Sequence, residues 1–199
     1  MNTFRTKELL QELEAITATN LKVIEDHASV LSTEQLNWKK DHSSWSILET
    51  LAHLNEYARY YNEVISRRID KTRFREPRQT FISSPLGRSA WTSMKLGNAR
   101  NVKRKLRSPR IYNPTLNKEI LLDKSVISFL ESQKELLDII KKAAHVSLRK
   151  VRIPISISKL IRLRLGDALM FVIYHNERHV QQVLNIISQK NFPKNSSEA

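Results

Sequence analysis

Four long segments of this chain place apolar residues three and four positions apart, which is the spacing of an amphipathic helix. They run from Thr3 to about Val30, from Ser43 or Ser44 to about Arg68, from Asp123 to Ala144, and from Leu165–Asp167 to about Asn191. The sequence holds only three glycines and six prolines, whereas sheet-rich chains need turn residues every ~8–12 positions. The pattern predicts an all-α fold, a four-helix bundle that forms one domain over residues 1–199.

The segments between these helices differ in length and charge. Residues 32–42 are a polar connection, and residues 145–158 are a second irregular stretch. Residues 70–122 contain four prolines and two glycines, and the overlapping segment 67–110 has fourteen basic and two acidic residues. Most of the net charge of +14 therefore lies in a long, irregular, basic crossover predicted between the second and third helices.

The chain has no cysteine, which excludes disulfides, cysteine-based zinc sites and a thiol nucleophile supplied by the protein. The N-terminal residues are charged and amphipathic and lack the apolar run of a signal peptide. The longest apolar run, near residues 168–174, is far below the roughly 18 residues that span a bilayer. We therefore expect a soluble, cytoplasmic protein that does not enter a membrane.

The last helical segment carries two histidines, His175 and His179, four residues apart on its apolar face. A buried imidazole without partners costs roughly 1–3 kcal/mol, and two rings one turn apart can share a cation at about 2.0–2.1 Å. The alternative is that tyrosine, glutamine or backbone groups satisfy both rings without a metal. A zinc-protease motif is absent, because Asn176 and Arg178 stand where HExxH or HxxEH requires glutamate.

A third metal ligand would come from another helix. The other histidines of the sequence are His27, His42, His53 and His145. His42 and His145 lie in predicted connections, and His27 lies in a polar run near the end of the first helix. His53 is in the middle of the second helix, on an aromatic-rich flank separate from the main apolar stripe. His53 is therefore the best candidate, on a flank that can line a cavity at one end of the bundle.

Two motifs of this sequence resemble the signature of the DinB-like superfamily of four-helix-bundle metalloproteins. The first is WSILETLAHL over residues 45–54, and the second is LGDALMFVIYHNERHVQQ over residues 165–182. The resemblance covers nearly the whole chain and implies that His53, His175 and His179 are the ligands of a divalent ion, most often zinc or nickel. It also implies a thiol cosubstrate, since relatives include transferases and isomerases that use bacillithiol, mycothiol or glutathione.

The resemblance favours a metal-dependent enzyme, either a low-molecular-weight-thiol-dependent S-transferase or a hydrolase. In that hypothesis residues 67–110 form a lid whose positive charges attract a small anionic cosubstrate, and the other interpretation of this segment is a solvated loop that only aids solubility. A divalent ion on three neutral ligands keeps its charge and acidifies a coordinated water or thiol. Gln182, one turn from His179, is a candidate for orienting that ring, and Tyr57, one turn from His53, is a candidate proton donor. Trp38 and Trp45 are interpreted as packing residues at the start of the second helix.

The alternative is a non-catalytic binding module with a structural metal. In that case residues 67–110 would bind nucleic acid or another polyanion, together with six basic residues further along: Arg149, Lys150, Arg152, Lys159, Arg162 and Arg164. Nucleic acid is the less favoured partner, because no nucleic-acid-binding motif accompanies the charge and the aromatic residues are too widely spaced for a stacking platform. Bundles of this kind can also form homodimers, although no exposed stripe identifies the interface.

Overall fold

The computed structural model describes residues 2–97, 108–117 and 124–193. Four long helices make up most of it: α1 (Thr6–His27), α3 (Ile47–Asp70), α5 (Ser125–Ala143) and α6 (Leu165–Ile187). Two shorter helices, α2 (Thr33–Asn37) and α4 (Pro85–Met94), and a 3₁₀ turn at Arg110–Tyr112 lie between them. The prediction of a mostly helical, all-α chain is confirmed.

Two small antiparallel strand pairs accompany the helices. Strand β1 (Thr3–Arg5) pairs with β2 (Thr80–Ile82), and β3 (Arg152–Ile155) pairs with β4 (Ser158–Arg164). Phe81 of β2 lies against the first turn of α6, where a Cβ atom on Gly166 would stand only 2.7 Å from the Phe81 ring. Glycine at that position therefore allows the strand and the helix to approach each other.

The long helices pack against one another around two clusters of buried apolar residues. Helix α3 contacts α5 and α6, helix α1 contacts the same two helices, and α4 lies on α6. The buried face of α3 extends around both of its flanks, and it includes the side chains of Leu51, His53 and Tyr57. The sequence predicts that this helix buries two flanks. One flank packs against the core, and the other lines a cavity.

The N-terminal boundary of the first helix differs from the prediction. Residues 3–5, which the periodicity assigns to the helix, form strand β1 instead. The residues that pair with this strand are 75 to 79 positions away, at Thr80–Ile82. A local pattern of apolar residues contains no information about such a distant backbone partner. At the other end of the chain, α6 ends at Ile187 rather than near Asn191.

The second predicted helix begins later than Ser43 or Ser44, so both proposed N-caps are wrong. The hydroxyls of Ser43 and Ser44 donate to Oδ1 of Asp41, at 2.7 and 2.8 Å, in a turn that precedes the helix. The N-cap of α3 is Ser46, whose Oγ accepts from the Glu49 amide at 3.2 Å. Glu49 Oε2 in turn accepts from the Ser46 amide at 2.9 Å. This capping box fixes where α3 starts.

Two segments predicted to be irregular contain regular structure. The crossover 70–122 holds β2, α4 and the 3₁₀ turn, and the stretch 145–158 holds β3 and the start of β4. Strand β2 has only three residues, which is too short for an alternating pattern to identify it. Four of the seven residues of β4 are exposed, so its sequence shows no alternation between a buried and an exposed face. Residues 98–107 and 118–122 of the basic crossover, together with Asp123, lie outside the described residues.

A chain of hydrogen bonds attaches α4 to the start of α6. Asp167, fully buried in the first turn of α6, accepts from Ser83 Oγ at 2.5 Å and from Ser84 Oγ at 2.8 Å. Trp91 Nε1 donates to Ser83 Oγ at 3.1 Å, and the Gly87 amide donates to Ser84 Oγ at 3.0 Å. A Cβ atom on Gly87 would lie 2.1 Å from the Asp167 carboxyl. Glycine there permits this close contact between the two helices.

Among the described residues, no helix combines the length and the apolar character needed to cross a membrane.

Candidate metal centre

Three histidines from two helices meet in the core of the protein. His53 comes from α3, and His175 and His179 come from successive turns of α6. One candidate ligand atom from each ring lies within 4.8 Å of the other two. The side chains of His53 and His175 are only 2% and 4% exposed. The structure therefore brings together the three residues that the sequence singled out.

The neighbouring groups fix which nitrogen of two of these rings is free. His53 Nδ1 lies 2.6 Å from the carbonyl oxygen of Tyr112. Since a carbonyl only accepts, that nitrogen carries the proton and Nε2 keeps its lone pair. His179 Nδ1 lies 3.0 Å from Gln182 Oε1, and Gln182 Nε2 donates to Thr50 Oγ1 at 3.5 Å, which orients the amide. Both rings thus present an unprotonated Nε2.

His175 is different, because its Nδ1 is buried without a hydrogen-bond partner among the described residues. Its Nε2 lies 3.2 Å from Nε2 of His53. Two nitrogens bound at about 2.05 Å in a tetrahedral zinc shell would be ~3.3 Å apart, so this spacing suits a shared ion. Nitrogen-only ligand sets of this kind accept several first-row divalent metals.

Burial keeps all three rings in the neutral, metal-binding form. It lowers the pKa of His53 to about 4, against the opposing effect of the hydrogen bond to Tyr112. Burial and the nearby His53 lower the pKa of His179 to about 3. Burial and the neighbouring His179 hold the pKa of His175 well below its ordinary value. A proton therefore does not compete with a cation for these nitrogens near pH 7.

Aromatic side chains surround the cluster. The Tyr57 ring lies 5.0 Å from that of His53 and 4.6 Å from that of His175, measured between centroids. Trp45 lies 4.9 Å from His53 and 6.1 Å from His179. Its position at the site was missed by the sequence reasoning, which treated Trp45 as a packing residue. The available signal for this position was that Trp45 directly precedes Ser46, the N-cap of the helix that supplies His53.

The remaining sequence candidates do not join the cluster. His27 is exposed at the end of α1, and His42 and His145 are exposed in connections. These three positions agree with the reasons for which His53 was preferred. Trp38, the other tryptophan interpreted as a packing residue, lies edge-on against Phe192 at 5.5 Å. The backbone carbonyl of Tyr112 was not identified from the sequence, because it depends on no side-chain type.

The histidines open onto a cavity of about 730 Å³. Apolar walls of this cavity come from α4, from the β3–β4 hairpin and from Phe171 of α6, and polar walls come from residues 40–44 and from the end of α6 near Asn185 and Gln189. Gln182 and the buried Arg178 also reach this space. Cavities of this size and character are typical of sites for small molecules.

A family model described as the DinB superfamily matches residues 16–183 of the chain. The matched range contains all three histidines, the groups that orient their rings, and the cavity walls described above. No curated protein and no solved structure matches the chain.

Proposed function

The chain belongs to the DinB superfamily, and we propose on that basis that it is a metal-dependent enzyme in which His53, His175 and His179 hold one divalent ion. The observation that carries the proposal is the convergence of three neutral imidazoles, of which His53 and His175 are buried and His179 is partly buried. The rings of His53 and His175 face each other through Nε2 at 3.2 Å. We propose zinc or nickel as the ion, and the four-helix bundle implied by the resemblance as the arrangement of the long helices.

Hydrogen bonds within the protein orient two of the three ligands without the ion. The Tyr112 carbonyl and the Gln182 amide each hold one ring in a single tautomer, so that reorganisation on binding is small. The burial of His53 and His175 reduces the screening of charge by water, which strengthens electrostatic interactions at the site. When bound, the divalent ion supplies a Lewis acid that lowers the pKa of a water or a thiol.

We propose that the reaction is either thiol S-transfer or hydrolysis of a small molecule. Because the chain has no cysteine, the sulfur in a transfer would come from a low-molecular-weight thiol. That sulfur would form a bond to an electrophilic carbon of the second substrate, and the leaving group would depart with the thiol proton. The cavity beside the histidines is large enough to hold small molecules of this kind.

Tyr57 and Gln182 are proposed to assist in different ways. Burial raises the pKa of Tyr57 above its ordinary value, so its phenol stays protonated and can donate a hydrogen bond into the cavity. Gln182 does not face the reacting groups in this proposal. It positions His179 and is itself held by Thr50.

The proposal is tested by metal analysis and thiol consumption. The purified protein and the variants His53→Ala, His175→Ala and His179→Ala are compared, with the exposed His27→Ala as the matched control. We expect stoichiometric metal in the wild type and the control and loss of metal in the other three. Consumption of bacillithiol, mycothiol or glutathione with an electrophile, or hydrolysis of a small ester or amide, should be lost in the same three variants. Unchanged metal content in all of them would refute the site.

The second candidate function is polyanion binding by residues 67–110 and by the β3–β4 hairpin, which carries several basic residues. The observation that favours it is the pairing of Arg152 with Arg164 on adjacent strands. Burial lowers the pKa of Arg164, and the positive charges of Arg149 and Arg152 lower it further by smaller amounts. If this function is correct, DNA should be retained at ~0.2 M salt with full affinity by His175→Ala. The enzyme proposal instead expects weak DNA binding and loss of activity in that variant.

A further inference from the structure

Exposed apolar side chains cluster at the mouth of the cavity. Leu86 of α4 is 51% exposed, and Ile157 and Ile161 of the β3–β4 hairpin are 65% and 43% exposed. All three also line the cavity that leads to the histidines. Large apolar groups grouped at one opening usually mark a surface that binds something.

The hairpin that carries two of these residues is fixed in place. Tyr60 of α3 donates its hydroxyl hydrogen to the Ile155 carbonyl at 3.2 Å. The Ser156 amide donates to the hydroxyl of the next residue, Tyr61, at 3.3 Å. These two bonds hold the hairpin tip against α3, on the same helix that supplies His53. Ile157, which follows Ser156, is therefore part of a preformed wall.

An aromatic ring connects this apolar wall to the histidines. Phe171 of α6 is one turn before His175, and the two rings stack at 6.0 Å with an angle of 5° between their planes. Phe171 also lines the cavity, and its ring lies 5.8 Å from that of Tyr61, which binds the hairpin tip. A molecule that enters between Leu86 and Ile157 would thus pass along apolar groups until it reaches the imidazole nitrogens.

We propose that the site selects an amphipathic small molecule, with a metal-binding polar head against the histidines and an aliphatic or aromatic body between α4 and the hairpin. This inference rests on the proposed metal site and adds the chemical class of its substrate. The concave volume of about 730 Å³ that continues from the apolar mouth to the histidines favours a small molecule over a protein surface as the occupant.

The test compares acetohydroxamic acid with octanohydroxamic acid, which share a chelating head and differ by six methylene groups. Calorimetric titration of the zinc-loaded protein gives the two dissociation constants. Each buried methylene improves affinity about fourfold, so burial of half of them predicts ~60-fold tighter binding of the octanoyl compound. The exposed position of Ile157 makes Ile157→Asp compatible with folding. This variant should reduce the preference below about tenfold and leave acetohydroxamate binding unchanged.

Ile127→Asp is the matched control, because Ile127 is 57% exposed on α5 and does not line the cavity. It should keep the full preference. Equal affinity for the two hydroxamates in the wild type, or no binding of either, would overturn the inferred substrate class. If the two affinities are equal, metal retention and acetohydroxamate binding would still support the metal site.

Failure of the proposed function has a separate signature. In His179→Ala, and in protein stripped of metal, both hydroxamates should bind at least ~50-fold more weakly, which follows from loss of the chelating contact. Undiminished binding there would contradict the metal site itself. A dimer in sedimentation experiments that Ile157→Asp dissociates would identify the apolar mouth as an interface between copies and would overturn the small-molecule inference.

Discussion

Two buried polar clusters lie about two turns apart along α6, and they differ in how fully their hydrogen bonds are satisfied. At the first turn, Asp167 accepts from Ser83 and Ser84, and those hydroxyls in turn accept from Trp91 and Gly87. In the middle of the helix, the histidine cluster leaves Nδ1 of His175 without a described partner. It also turns Nε2 of His53 towards Nε2 of His175.

This difference separates a cluster that stabilises the fold from one that is built to receive a ligand. Both carboxylate oxygens of Asp167 accept hydrogen bonds within the protein, from the Ser83 hydroxyl and from the hydroxyl and amide of Ser84. Unsatisfied buried polar atoms cost about 1–3 kcal/mol each, and they persist where a bound group offsets that cost. The three mutational and pH experiments below test whether the two clusters differ in this way.

The largest expected effect is on stability, at Asp167. Asp167→Ala leaves two serine hydroxyls and a backbone amide without their buried acceptor, and we expect it to lower the free energy of unfolding by about 3–5 kcal/mol. Urea unfolding measures the change. Asp167→Asn, which keeps one acceptor, should cost less and should retain stoichiometric metal. A stability loss in Asp167→Ala no greater than that of a surface substitution would contradict the structural assignment.

The second effect is a loss of stability of the metal-free protein in acid. The pKa of His53 is about 4 in the folded chain, whereas the ordinary histidine pKa of 6.5 applies in the unfolded chain. As pH falls, the unfolded chain therefore binds protons first, and stability present above pH ~6.5 is lost as pH falls towards ~4. Between pH 8 and pH 5 we expect His53 alone to remove about 2 kcal/mol.

Urea unfolding at the two pH values should show a smaller pH dependence in metal-free His53→Leu than in the wild type. The exposed His27→Gln serves as the control and should behave as the wild type does. If His53→Leu and the wild type lose the same stability, the burial argument for His53 does not hold.

The smallest effect is expected at Gln182, which satisfies Nδ1 of His179. Gln182→Leu removes the group that fixes the tautomer of this ring, and we expect metal affinity to fall about tenfold. Competition with a chromophoric chelator measures the affinity. The neighbouring Gln181→Leu, which removes a side chain bonded to Asn185 instead, should leave it unchanged. An equal loss in both variants would show that the effect is not specific to His179.

The helices and their histidines were largely predictable because they depend on local patterns. Apolar spacing located the long helices to within a few residues, and the four-residue separation put His175 and His179 on one face. His53 needed two further arguments, namely its position on a second buried flank of α3 and the resemblance of both motifs to one family. The DinB match over residues 16–183 agrees with that resemblance.

The elements that the sequence did not predict depend on partners far along the chain. Strand β1 forms only because β2 is present, and the site of Trp45 depends on how α3 approaches α6. The start of α3 depended on a choice among three nearby serines. Two of them bond Asp41, and only Ser46 has a glutamate three residues later to complete the capping box. That glutamate was the signal for the correct start.

The hydrogen bond from His53 to the carbonyl of Tyr112 makes the length of the crossover more important than its composition. Because the main chain supplies the acceptor, many residue types at position 112 would leave this bond in place. A one-residue insertion or deletion in the neighbouring 3₁₀ turn would instead move the carbonyl by about one residue spacing, roughly 3.8 Å. Related chains should therefore vary in the residue at position 112 but should rarely carry insertions or deletions in the 3₁₀ turn.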